Sequence, residues 1–189
     1  MAAIQQAIRD NADWVEIDVQ ETADNHIIVF HDSDFMKLAN NPLKIWDATL
    51  ADVQAIDIGS WFDEQFSDQR PPTLREVLKA CKGKIRVLIE LKYYGHDVDL
   101  ENRVAEIVEA EGMENQIEIM SLELAAVKKM KSLRPSWRVG LLMSVATGNL
   151  AASEADFLAV NAAFIDRGMI KTAGSRNQKV LAWTVNDAA

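Results

Sequence analysis

Short apolar runs rich in branched residues alternate with stretches of helical period along almost the whole 189-residue chain, and this alternation restricts the fold more than any other feature. Residues 14–20, 85–91, 117–120, 138–143, 157–160 and 180–185 read as six core strands. Strands separated by a helix run parallel, because the helical crossover brings the chain back in the same direction. Two architectures satisfy this pattern, a doubly wound sheet and a closed barrel. Both gather reactive groups where strands end at their carboxyl edges.

Punctuation residues support these boundaries. The chain opens inside a helix, with Ala3, Ile4, Ala7 and Ile8 at helical spacing. Thr22-Ala-Asp-Asn25 is expected to turn the first core strand into an antiparallel partner at residues 27–30. Thr49 with Asp52, and Thr73 with Glu76, have the spacing of capping boxes and mark helix starts. Gly83, Gly112 and Pro135 mark helix ends, Ser121 is expected to cap the helix that follows it, and residues 166–173 form a last helix. Residues 33–72, with Asn40-Asn41-Pro42, Gly59 and Pro71-Pro72, read as a long, less regular excursion. No linker, repeat or second composition zone divides the chain, so residues 1–189 are expected to belong to one domain.

Composition excludes several function classes. With 29 acidic against 20 basic residues and a formal net charge of -9, the chain lacks the positive field that draws a nucleic-acid backbone, and no nucleic-acid partner is expected. No apolar run reaches the roughly 20 residues of a spanning helix, so this chain is expected to contain no membrane segment. The single cysteine, Cys81, rules out an internal disulfide and a thiolate metal cage.

Two strands carry charge at their carboxyl ends. In Trp14-Val-Glu-Ile-Asp-Val19, the period of two sets Val15, Ile17 and Val19 on one face and Glu16 and Asp18 on the other. In residues 85–92 the same period sets Leu88, Glu90 and Lys92 opposite Ile85, Val87, Ile89 and Leu91. In a parallel sheet covered by helices, such charges point into a cleft or barrel mouth rather than along a solvated flank. Convergent carboxylates repel one another unless a hard divalent cation joins them, which makes Glu16, Asp18 and Glu90 candidate metal ligands. Lys92 is a candidate cation for an anionic substrate group, or the neutralising partner of a carboxylate. His31 follows an apolar run close to the acidic pair and could protonate a leaving oxygen, with Asp32 setting its tautomer. Trp183, toward the end of the last strand, offers an indole face to a ligand carbon skeleton or packs in the core. His26 reads as solvated, His96 as a residue that lines the mouth or simply lies on a loop, and Glu101, Glu106, Glu109 and Glu111 as a solvated helix face.

These residues resemble the glycerophosphodiester phosphodiesterase domain family. The resemblance rests on Asp13-Trp-Val-Glu16-Ile-Asp18-Val, Thr22-Ala-Asp-Asn-His-Ile-Ile-Val-Phe-His31-Asp32, Pro72-Thr73-Leu-Arg-Glu76, Ile89-Glu90-Leu-Lys92 and Ala182-Trp183-Thr-Val-Asn186, in order and at matching spacing. It implies a TIM-type (β/α)8 barrel with a small insertion after the second barrel strand. It also implies a phosphoric diester hydrolase of lipid and glycerol metabolism that converts glycerophosphodiesters to sn-glycerol 3-phosphate and an alcohol. Carried over residue by residue, it makes Glu16, Asp18 and Glu90 the ligands of one divalent cation, calcium or magnesium. His31 becomes the general acid, Lys92 a contact to substrate phosphate, and Trp183 a residue flanking glycerol.

The family pattern begins with a His-Arg-Gly strand and ends with a strand near Thr-Asp, and this sequence contains neither. On that comparison the chain is expected to be an incomplete barrel without its first and last strands, impaired in turnover by itself. The parent protein is expected to be cytoplasmic or membrane-associated, and the sequence selects neither. Other readings of the same residues are a non-catalytic module that binds phosphodiesters or a partner, a related phospholipase D or sphingomyelinase-type enzyme, and a lyase or aldolase barrel using the same carboxylates.

Overall fold

The computed structural model describes residues 1–144 and 154–186. The chain divides into two compact units, Met1–Ile117 and Glu118–Ala189.

The first unit opens with helix α1 (Ala2–Arg9) and then strand β1 (Trp14–Glu21). The expected turn follows, closed by the Asn25 amide donating to the Thr22 carbonyl at 2.9 Å, with Asn25 at a positive φ of 67° that asparagine tolerates. It returns the chain as β2 (Ile27–Val29), antiparallel to β1, with Val19 opposite Val29 and Glu21 opposite Ile27. Residues 33–72 are more ordered than their irregular sequence suggests. They hold a small hairpin, β3 (Asp34–Phe35) and β4 (Asn41–Lys44), separated by the single turn α2 (Met36–Ala39), and then helix α3 (Leu50–Gln54). Phe35, Ile45, Ala48, Val53 and Ile56 close a hydrophobic cluster there around Ile28 and Phe30.

Both expected capping boxes form. The Thr49 and Thr73 side chains accept from the Asp52 and Glu76 amides, and those carboxylates accept back from the threonine amides, which satisfies donors a helix start would otherwise strand. Thr73 thereby starts α4 (Leu74–Cys81), whose buried Leu74, Val77, Leu78 and Cys81 pack on β2, on the next strand β5 (Arg86–Leu91) and on α5 (Leu100–Glu111). Strand β5 lies parallel to β1 on the edge opposite β2. Ile17 and Val19 of β1 and Val87, Ile89 and Leu91 of β5 are buried, as the period of two requires of a face covered by helices. Gly112 ends α5 in the left-handed conformation at φ 61°.

The expected solvated acidic face of α5 needs correction at two positions. Glu101 is buried with 6% of its surface exposed, in the first helical turn, where the exposed amides favour a carboxylate. Glu111 is held by Arg75, so only Glu106 and Glu109 of the four lie open to solvent.

The second unit is built on β6 (Ile117–Ser121), α6 (Leu124–Leu133), β7 (Val139–Met143), β8 (Phe157–Asn161), α7 (Arg167–Ser175) and β9 (Lys179–Trp183). Strands β6 to β9 pair in sequence order, all parallel. Gly140 lies opposite Phe157, and the aromatic ring fills the space a side chain at Gly140 would need. Ser121 does not cap α6 as its sequence position suggests. It ends β6 and its hydroxyl accepts from the Glu123 amide, because the strand runs one residue further than the apolar pattern and Glu123 becomes the N-terminal flank of the helix. Among the described residues no helix is long and apolar enough to cross a membrane.

Candidate active site

In β1 the pleat that buries Ile17 and Val19 turns Glu16, Asp18 and Gln20 to the opposite face. Parallel pairing with β5 then sets Asp18 directly opposite Glu90 and Glu16 opposite Leu88. In-register residues of neighbouring strands point the same way about 5 Å apart, so Glu90 joins the two acids although it lies 72 residues from Asp18. One carboxylate oxygen from each of Glu16, Asp18 and Glu90 falls within 4.8 Å of the others.

The cost of this convergence is visible in its protonation. Desolvation first, and then the charges of Asp18 and Glu90, push the Glu16 carboxyl up to about 7 against the relief given by Lys92. Desolvation also raises Glu90, which is only 5% exposed. Lys92 Nζ partly compensates, 2.8 Å from Glu90 Oε1 and 3.3 Å from Asp18 Oδ1. Burial works to lower the Lys92 ammonium, but contact with Glu90 and the charge of Asp18 outweigh it and raise its pKa.

His31 stands just after β2, its side chain 65% exposed. Its Nδ1 is 2.7 Å from Asp32 Oδ1 and its Nε2 is 3.3 Å from Lys92 Nζ. An ammonium has only donors, so the partners assign the ring proton to Nδ1, directed at Asp32, and leave Nε2 as the acceptor. Thus Glu16, Asp18, Glu90, Lys92 and His31 form one constellation. Trp183 ends β9 in the second unit, opposite Asn161, with a buried indole N–H that has no hydrogen-bond partner among the described residues.

Three further groups adjoin this constellation and were not singled out from the sequence. Gln20 shares the period-two face of Glu16 and Asp18, a signal that was available. Tyr94 donates its hydroxyl to the His31 carbonyl at 2.9 Å, and Trp46 stacks on His96 with ring centroids 4.2 Å apart. No local pattern announces either contact, since each joins the loop after β5 to a distant segment. Glu21 anchors that loop: its side chain is 3% exposed, accepts from the Val98 and Asp99 amides at 2.8 and 3.1 Å, and pairs with Arg103 at 2.5 Å.

The model of the Glycerophosphoryl diester phosphodiesterase family matches residues 1–189. The chain belongs to that family. A Bacillus subtilis protein, YhdW, provisionally named a glycerophosphodiester phosphodiesterase, is 30% identical over 99% of this chain and 80% of its own length. A glycerophosphodiester phosphodiesterase of Caldanaerobacter subterraneus is 31% identical over 75% of this chain, and the match spans 59% of that protein. Among solved structures, an Oleispira antarctica phosphodiesterase in complex with the product sn-glycerol-3-phosphate superposes with a TM-score of 0.91 at 24% identity, covering 98% of this chain and 78% of that one. A glycerophosphodiester phosphodiesterase from Agrobacterium tumefaciens superposes at 0.84 with 26% identity, covering 98% and 80%. The fold is therefore the TIM-type α/β barrel architecture of the glycerophosphoryl diester phosphodiesterases, not the doubly wound sheet.

A divalent cation is implied by membership of this family, and the residues fit one. All three donors are carboxylate oxygens, the set a hard cation prefers, and they converge within the reach of one ion. Glu90 Oε1 is buried and, beyond its ion pair with Lys92 at 2.8 Å, has no further partner among the described residues.

Proposed function

We propose that the chain hydrolyses glycerophosphodiesters to sn-glycerol 3-phosphate and an alcohol, with Glu16, Asp18 and Glu90 holding one calcium or magnesium ion. Phosphodiester hydrolysis is the chemistry of the family to which the chain belongs. The reading is carried by the carboxylate cluster with a cation and an imidazole at its side. A bound divalent cation supplies withdrawal of charge from the phosphoryl oxygens.

The residues of the chain do the rest. Lys92 Nζ lies between the acids and His31 Nε2, where a phosphate oxygen would meet a fixed positive charge. His31 acts as the general acid once Nε2, the acceptor toward Lys92 in the free site, has taken a proton from solvent; it passes that proton to the departing alkoxide while Asp32 on Nδ1 holds the ring orientation.

The test is made in the intact protein with glycerophosphocholine and glycerophosphoethanolamine as substrates. Glu16→Ala and Glu90→Ala are expected to abolish metal-dependent release of glycerol 3-phosphate. Undiminished release in both variants overturns the assignment.

A further inference from the structure

The backbone that carries His31 is held by an unusual contact. Gln20 is buried, with 2% of its surface exposed, and its side-chain nitrogen faces three consecutive carbonyls: Phe30 at 2.7 Å, His31 at 3.3 Å and Asp32 at 2.9 Å. Three carbonyl dipoles aimed at one point repel one another, and a turn of that shape holds only if a donor occupies the point. The Gln20 amide has two N–H groups, which serve the two short contacts and leave the His31 carbonyl partly served. That carbonyl receives its second donor from outside, the Tyr94 hydroxyl at 2.9 Å. Gln20 projects from the same face of β1 as Glu16 and Asp18, and the turn starts where the Phe30 amide donates to the Asp18 carbonyl at 3.0 Å. A single rigid strand therefore carries two of the acids and the clamp for the histidine.

We propose that Gln20, assisted from the solvent side by Tyr94, is a positioning residue that fixes the His31 backbone over the carboxylate cluster. This rests on the reading of His31 as general acid. Gln20 touches no reacting atom and acts through the geometry of His31. Loss of the clamp lets an exposed imidazole wander, and a displacement near 1 Å costs a reaction on the order of 100-fold.

Gln20→Met keeps the length of the side chain and removes both donors. In the intact protein it is expected to lower kcat on glycerophosphocholine by about 10- to 100-fold. KM and calcium affinity are expected to stay within about twofold, since the acids and Lys92 do not depend on the clamp. A purely structural glutamine would instead lower the fraction folded and leave kcat per folded molecule unchanged, so activity is normalised to folded protein from urea unfolding curves. Tyr94→Phe removes the outer donor at a half-exposed position and is expected to lower kcat several-fold with KM unchanged. It decides the matter if Gln20→Met does not fold. His31→Ala is measured alongside. If His31→Ala abolishes turnover and the clamp variants keep full kcat, the positioning role is overturned and the reading of His31 stands. If His31→Ala keeps full activity, the reading of His31 falls and the inference with it.

Discussion

Asp18 and Glu90 face each other across neighbouring parallel strands in direct register. Each strand brings its own acid to the same face, and the pairing of the strands makes them a cluster with Glu16. Charges drawn together in this way are stable only when neutralised; Lys92 does so in part, and in the proposed reading a bound divalent cation would do the rest.

Removing one acid is therefore expected to weaken metal binding far more than it disturbs the fold. Asp18→Asn and Glu90→Gln keep size and hydrogen-bonding capacity while deleting a charge. Each is expected to lower calcium and magnesium affinity by at least about tenfold, as read by isothermal titration calorimetry. Affinity unchanged in both variants would place the ion elsewhere.

The Glu16 carboxyl sets a pH dependence of defined sign. Its folded value, about 7, lies above the ordinary 4.5, so the folded state without metal keeps a proton that the unfolded chain releases. Stability of the metal-free protein is thus expected to be highest below about pH 4.5 as far as this group is concerned, and to decline as pH rises through 7. Calcium binds the ionised form, so its affinity is expected to rise over the same interval with proton release. Urea midpoints between pH 5 and 8, with and without calcium, check both trends, and Glu16→Gln is expected to flatten them.

Helix α4 begins on a reciprocal cap, and that cap has a measurable worth. Thr73→Ala removes the acceptor for the Glu76 amide and is expected to destabilise the protein by about 1 kcal/mol in urea unfolding. A comparable loss is expected for Thr49→Ala at α3 if that short helix unfolds with the rest.

In the second unit, a Cβ at Gly140 would lie 2.1 Å from the ring of Phe157, so close that one of the two must shift. Gly140→Ala is expected to destabilise by about 1–3 kcal/mol through overpacking. Phe157→Leu in the same background is expected to recover part of that loss, because the smaller side chain vacates the clash. Additive effects in the double-mutant cycle would mean the two positions do not share the space.

Breaking the anchor of the loop after β5 should cost more than a surface pair. Glu21→Ala leaves Arg103 without its partner and two backbone amides without their acceptor. A loss of about 3–5 kcal/mol is expected, read from thermal unfolding. A loss below 1 kcal/mol would show that solvent replaces the carboxylate.

Much of this molecule is legible from neighbouring residues alone. The pleat gives alternate side chains opposite directions, so Glu16 and Asp18 had to share a face, as Glu90 and Lys92 did on their own strand. Cap chemistry acts over three residues, so Thr49-to-Asp52 and Thr73-to-Glu76 announced α3 and α4. Ser121 misled because a serine before a helix can serve the cap or close the preceding strand, and how far that strand stays paired decides between them. What only the tertiary structure decided is which strand neighbours which and in what register. The Asp18–Glu90 pair, the Gln20 amide on the carbonyls of residues 30–32, and the Trp46–His96 stack all follow from it. Side-chain direction is a property of a few consecutive bonds, whereas register is set by the summed packing of segments far apart along the chain, a sum that no local pattern contains.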